Sequence, residues 1–289
     1  MLIPRIVTAL VLAPLALAAV LWLDPEYFML LWAGILLIAA WEWGRLVAIP
    51  SMLWQAVWLF VLCWPIAFVF FWTDFLEWLA LLLNNTEILK QSGLIDAFVI
   101  LPVAWWILAM ILIRRWGAEL IQFPLRRSQS LWLGGFVLFS AWMCLSRLKQ
   151  FYPLELTVYF LLLIWAADIS AYFCGKRWGK TKLAPEISPG KTVEGMYGAL
   201  AAAGVGSIVL ALIYQMHWMM AIDFTLLSLI TVLVSIYGDL FFSIMKRRCG
   251  VKDSGALLPG HGGLLDRLDS VIAAVPVFYA GVYLIYEAV

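Results

Sequence analysis

Side chains able to do chemistry gather in two segments of the second half of the chain. The first, GKRWGKTKLAPEISPGKTVEG, runs from Gly175 to Gly195. The second, KRRCGVKDSGALLPGHGGLLDRLD, runs from Lys246 to Asp269. Each follows an apolar run with one aspartate near its end, Asp168 in the first and Asp239 in the second. At 1.5 Å per helical residue, both carboxylates stand roughly 8–9 Å inside the end of their run. A carboxylate at the centre of a membrane span costs about 2.5–3.5 kcal/mol, and less near an end. One such aspartate is as well explained by pairing with a nearby base as by function. Two at matched depth, each leading into a Gly- and Lys-rich loop, favour function.

Spacing sharpens the reading. Asp239, Ser243, Lys246 and Arg247 stand at i, i+4, i+7 and i+8 and form one polar stripe on an otherwise apolar helix. Asp266 and Asp269 are three residues apart and share a face of the last helix. Asp239 and Asp266 are the candidate ligands of a hard divalent cation such as Mg2+, with water or phosphate oxygens completing its shell. The competing role is helix capping, and one of Asp266 and Asp269 is expected to serve it. His217 and His261 are the only histidines, which excludes a multi-histidine zinc or iron site within one chain. Cys63, Cys144, Cys174 and Cys249 form no C-x-x-C motif, and no disulfide framework is expected.

The run Pro259-Gly260-His261-Gly262-Gly263 is either a tight reversal or a place where backbone N–H groups approach a phosphate. Lys246, Arg247, Lys252 and Arg267 around it suit a ligand with several phosphates. Gly190-Lys191-Thr192 resembles the end of a P-loop. That pattern needs glycine at 185, which is Pro185, and a strand before it, so a P-loop nucleotidase is excluded. Ser188, Lys191 and Thr192 either contact phosphates or open a helix with Glu194 in its first turn.

The elements that position these groups must be membrane spans. Apolar residues make up 65% of the 289-residue chain and charged residues 13%, against roughly 45–50% and about 25% in soluble domains. That leaves too little charge for a soluble globule, a disordered chain or a coiled coil. Runs long enough to span lie at 5–23, 27–47, 52–71, 94–113, 130–146, 153–173, 195–214, 224–245 and 270–288. The first exceeds a signal-peptide core and reads as a span. The stretch 74–83 is too short and reads as interfacial. The fold class is therefore an all-α polytopic membrane protein with about nine helices. With the N-terminus inside and the C-terminus outside, 16 of the 19 Lys and Arg residues fall in inside loops, leaving Lys90, Arg147 and Lys149 outside. Net charge is only +1, so no nucleic-acid partner is expected. One integral domain, 1–289, is expected, with 1–150 as mostly lipid-facing scaffold and 151–289 carrying the active site. The 17 tryptophans are expected at the interfaces and against lipid. An ion-coupled transporter is the rival class, but the polar residues cluster on one side and not along a pathway.

The second segment resembles the CDP-diacylglycerol synthase family (phosphatidate cytidylyltransferases), bacterial type. Ser243, Lys246, Arg247, Lys252, Asp253, Gly255, Pro259, His261, Gly262, Gly263, Asp266, Arg267 and Asp269 match its C-terminal motif in register. Upstream, Asp168, Ala171, Tyr172, Gly175, Gly179, Lys180, Lys182-Leu183-Ala184-Pro185 and Ser188-Pro189-Gly190-Lys191-Thr192 are similar to bacterial members. Arg5 and Trp41-Glu42-Trp43 fit more weakly. Many bacterial members carry an acid just before the motif serine, where this chain has Phe242. The resemblance implies transfer of CMP from CTP to phosphatidate, giving CDP-diacylglycerol and pyrophosphate, with Mg2+ as cofactor. It implies metal binding by Asp239 and Asp266. The expected catalytic set also includes Lys246, Arg247, Lys252, Asp253, His261, Arg267 and Asp269. Asp168, Lys180, Ser188, Lys191, Thr192, Gly262 and Gly263 are expected to bind substrate. It places the protein in the bacterial cytoplasmic membrane with its active site on the cytoplasmic side, with a homodimer as a further expectation. Another CTP-dependent lipid enzyme, such as a polyprenol kinase, is the alternative within the same chemistry.

Overall fold

The computed structural model describes residues 3–255, 257 and 262–287. Helices α1 (Ile3–Trp22), α2 (Pro25–Leu46) and α3 (Met52–Phe70) open the chain. The short α4 (Trp72–Leu82) follows, then a 3-10 segment (Thr86–Gly93) and the single turn α5 (Leu94–Ala97). Next come α6 (Ile100–Trp116), the turn α7 (Glu119–Gln122), α8 (Arg127–Phe151) and α9 (Leu154–Trp178). A two-stranded antiparallel hairpin, β1 (Lys182–Ala184) and β2 (Ser188–Thr192), separates α9 from α10 (Val193–Ile213). The long α11 (Trp218–Arg248) and α12 (Leu265–Glu287) complete the fold.

Eight helices among the described residues are long and apolar enough to cross a membrane. Helix α1 adds a shorter apolar stretch, Leu10–Trp22. The protein is an all-α polytopic membrane protein, and the hairpin is the one departure from helix that the sequence pattern did not foreshadow. At about 1.5 Å per residue, α4 is far shorter than the bilayer core. Its Leu76 and Ala80 are buried while Phe75, Trp78 and Leu81 stay exposed. Helix α11, with 31 residues, extends about 46 Å and so outruns a core of about 30 Å. Its basic end, Lys246-Arg247-Arg248, closes the helix.

Helix α12 is the hub. Ile272, Ala273, Ala274, Val275, Phe278 and Val282 are fully buried, and α12 packs on α11, α8, α6 and α2. Gly238 of α11 lets the two helices meet, because a Cβ there would strike Ala273. This is the small-residue contact that lets membrane helices approach closely. Helix α9 packs along α10, and α2 lies on α8. Tryptophans split between two jobs. Trp22, Trp54, Trp64, Trp132 and Trp218 are exposed, as expected of lipid and interface positions. Others are interior. Trp43 donates to the Ser130 carbonyl at 2.9 Å, Trp142 to that of Met29 at 3.0 Å and Trp58 to that of Ala40 at 3.3 Å. These bonds tie α2, α3 and α8 together, and average about 0.6 kcal/mol each where such interhelical bonds have been measured.

The basic end of α11 ties the hairpin and the α7 region together at one end of the bundle. Arg248 donates to the carbonyls of Leu120 and Phe123 at 3.1 and 2.5 Å, and Arg247 to that of Ile187 in the hairpin at 3.3 Å. At the opposite end, Asp96 of α5 accepts from Arg147 of α8 and from Tyr279 of α12, with the second Arg147 bond at 2.6 Å. The ion pair is nearly closed off from solvent, with side chains 6% and 11% exposed. Removing one member of a buried pair strands the other charge and costs about 3–5 kcal/mol. Arg147→Met should therefore lower the melting temperature of the detergent-purified protein markedly. Lys90→Ala breaks only the exposed pair with Glu87 and should leave it unchanged.

Candidate active site

The hairpin turns back on itself and is pinned by its neighbours. Lys182 pairs with Thr192 and Ala184 with Ser188, with a bulge between. Thr192 then caps α10, its hydroxyl accepting from the Gly195 amide at 3.1 Å. Glu194 reaches back to the Thr181 amide at 3.1 and 3.2 Å. Of the two readings of this segment, helix opening is the one the hydrogen bonds realise for Thr192 and Glu194. Lys191, next to Thr192 on β2, projects to α11. Its ammonium pairs with Asp239 at 2.6 Å and donates to the Ile236 carbonyl at 3.2 Å.

Asp239 also accepts from Ser243 at 3.3 Å, one turn along the polar stripe. Lys246, two turns along, pairs with Asp266 at 2.6 Å. The other Asp266 oxygen accepts from the amides of Ser254 and Gly263 at 2.8 and 3.0 Å. Gly262 has φ +82°, and a Cβ there would stand 3.0 Å from that same oxygen. A side chain at 262 would thus be strained and would crowd the carboxylate. Asp168, from α9, and Asp269, from α12, stand within electrostatic reach of Asp239 and Lys191. Asp168 also feels Arg267, and Asp269 feels Lys246. The fold thus links Lys191 with Asp239 and Lys246 with Asp266 by ion pairs, and sets Asp168 and Asp269 within electrostatic reach of them.

Lys180, Lys252, Asp253 and Arg267 are exposed, Ser188 is half-buried on β2, and Gly263 is buried. His261, with Pro259 and Gly260, lies outside the described residues. Phe242 does not face the charges. It is 2% exposed and meets Trp43 edge-on at 5.8 Å, so the position of the missing acid is occupied by core packing.

The expectation that Asp266 or Asp269 caps the last helix needs correction. The first amides there, Leu264 and Leu265, donate instead to Glu42 at 3.0 and 2.7 Å. Asp266 is spent on Lys246 and the loop, and Asp269 accepts from its own neighbour Ser270 at 2.8 Å. Glu42 was the residue missing from the sequence-level site. Its signal was present, because it is an acid set inside an apolar span, a costly placement that calls for a partner.

Could this centre hold a divalent cation? The donor set is all carboxylate oxygen, which fits a hard cation such as Mg2+ or Mn2+ and not a thiolate-seeking one. Among the described residues, however, no three His, Cys, Asp or Glu side chains gather as a metal group. Lysine ammonium groups take the near positions on Asp239 and Asp266. The residues present can offer a cation two carboxylates, and a bound polyphosphate would have to supply further oxygens.

The cytidylyltransferase family model matches residues 3–285. Phosphatidate cytidylyltransferase from Pseudomonas aeruginosa is 39% identical over 282 residues, 97% of this chain and 96% of the relative. The Haemophilus influenzae protein of the same name is 34% identical, covering 96% and 97%. The Bacillus subtilis one reaches 47% over 131 residues, 44% of this chain and 47% of its own length. With its membrane helices, its paired lysines and aspartates and a match along nearly its whole length, the chain belongs to the cytidylyltransferase family.

Proposed function

We propose that this protein transfers CMP from CTP to phosphatidate, releasing pyrophosphate and forming CDP-diacylglycerol. The observation that carries this reading is the near-full-length similarity to phosphatidate cytidylyltransferases, together with the convergence of Lys191, Asp239, Lys246 and Asp266 at one end of the bundle. An oxygen of the phosphatidate phosphate attacks the α-phosphorus of CTP, and the bond to the pyrophosphate oxygen breaks. That oxygen is already ionised near neutrality, so the step needs no strong general base and no histidine. The obstacle is repulsion between two polyanions, which positioned cations relieve.

Lys191 and Lys246 are held by carboxylates until a triphosphate or lipid phosphate competes for them. Arg247, Lys252 and Arg267 extend the positive rim, and the Gly262-Gly263 backbone packs against Asp266 and Glu42 beside it. Asp239 and Asp266 would hold Mg2+, with substrate phosphate oxygens completing its shell. When bound, the ion supplies charge that offsets the repulsion between substrates. The centre stands where a lipid enters from the bilayer and a nucleotide from water. We assign that water to the cytoplasm, in a bacterial inner membrane, because of the basic-residue asymmetry. In this reading residues 151–289 carry the reacting groups and 1–150 the scaffold, to which Glu42 is an exception. A homodimer is consistent with the exposed aliphatic faces of the outer helices.

Asp239→Asn and Asp266→Asn should each lower CDP-diacylglycerol formation by at least about 10²–10³-fold, the cost of losing one electrostatic stabiliser. The double variant should be scarcely worse than either alone, because residues acting as a unit are not additive. Both should elute as monodisperse, folded protein; wild-type turnover by Asp239→Asn would remove it from the site. Activity measured across a Mg2+ titration should vanish in excess EDTA and return with Mg2+ or Mn2+. Full turnover in chelator would exclude the cation while leaving the family intact. Finally, a cysteine at the exposed hairpin position Glu186, with the native thiols replaced, should resist impermeant maleimide in intact cells and react after lysis. Labelling from outside would invert the orientation.

A further inference from the structure

Glu42 lies near the end of α2 and is only 5% exposed. Among the described residues no lysine or arginine forms an ion pair with it. Its partners are all donors from the segment that opens α12. One carboxylate oxygen accepts from the Leu264 amide at 3.0 Å. The other accepts from the Leu265 amide at 2.7 Å and the Ser254 hydroxyl at 3.3 Å. The same segment serves Asp266, which takes the amides of Ser254 and Gly263. Ser254 therefore bridges the two acids, and the successive amides 263, 264 and 265 are divided between them. The approach is tight. A Cβ at Gly255 would stand 2.5 Å from one Glu42 oxygen, and one at Gly263 would stand 2.6 Å from the other.

We propose that Glu42 is a positioning residue for the transfer reaction. From a distant helix it fixes the start of α12 and the Ser254 turn, and so fixes where Asp266 and its partner Lys246 stand. The positioning role rests on the reaction assigned above. Glu42 touches none of the charged centre directly; it acts through Asp266. A carboxylate is the group required, because only a side chain with two acceptors and no donor can take two backbone amides and a hydroxyl. In Glu42→Gln the shape is kept, but either amide orientation sets an NH2 group against a backbone N–H. The segment should loosen, and a shift of about 1 Å at reacting groups costs about 10²-fold in rate.

The experiment compares wild type, Glu42→Gln and Glu42→Asp in detergent, using CTP and phosphatidate in mixed micelles and hydrogen–deuterium exchange by mass spectrometry. Glu42→Gln should lower kcat by about 10²-fold while the KM for CTP stays close to wild type. Peptides covering 253–268 should exchange faster, while those from α6 and α9 stay unchanged. Glu42→Asp, which keeps two acceptors, should recover part of kcat. Should Glu42→Gln fail to fold, Gly255→Ala pushes on the same carboxylate from the loop side and should give the same local signature. Wild-type kcat, or unchanged exchange at 253–268, would overturn the proposal. So would a fall in active fraction with faster exchange throughout the bundle, which is what a merely structural acid produces. Wild-type protein inactive on CTP and phosphatidate would overturn the assigned reaction instead, whatever the exchange at 253–268 reports.

Discussion

Charge placed where water is scarce must find a partner, and that constraint organises this fold. Asp239 and Asp266 are satisfied by Lys191 and Lys246, each from a different element. The Lys191 contact pulls the hairpin onto α11. The Lys246 contact joins the end of α11 to the start of α12. The Lys246–Asp266 pair is the buried one, with side chains 11% and 8% exposed; there an orphaned partner is costly, so that pair also acts as a fastening. The same groups are the ones able to meet an anionic substrate. In the proposed reaction stability and chemistry would draw on one set of interactions, and a ligand entering the site would have to replace the contacts it breaks.

The rest of the molecule keeps those groups in register. Helix α12 is buried over residues 269–279 and carries Asp266 and Asp269 at one end and Tyr279 toward the other. Close contact through Gly238 locks it to α11, so a polar stripe on one helix faces acids on the next. The Asp96–Arg147–Tyr279 cluster secures the far end of α12. Glu42 secures the near end, and buried tryptophans hold α2 in place to do so. Phe242 fits the same logic. Its ring completes an aromatic layer with Trp43 and Phe241, so that side of α11 is turned to the scaffold and cannot serve the charged centre.

Much of this was legible in the residues themselves. Hydropathy runs require only local composition, so the membrane class and most of the long apolar helices could be read directly. The stripe Asp239–Ser243–Lys246–Arg247 follows from helical period alone, and the Ser243–Asp239 bond realises it. The order of the Lys, Gly and Asp residues in the second loop marks the family without any coordinates.

Pairing was not legible, because it depends on which elements meet. Nothing in the spacing says that Lys191 answers Asp239, or that Lys246 chooses Asp266 over Asp269. The hairpin between α9 and α10 has too few apolar positions for an alternating pattern, and is held by Glu194 and Arg247 from outside it. Capping of α12 looked like a local matter for Asp266 or Asp269. It falls instead to Glu42, more than two hundred residues earlier in the chain, because packing of α2 against the bundle delivers a second carboxylate to amides that Asp266 cannot also reach. Local residue types determined what chemistry was possible here; the tertiary contacts decided which groups would share it.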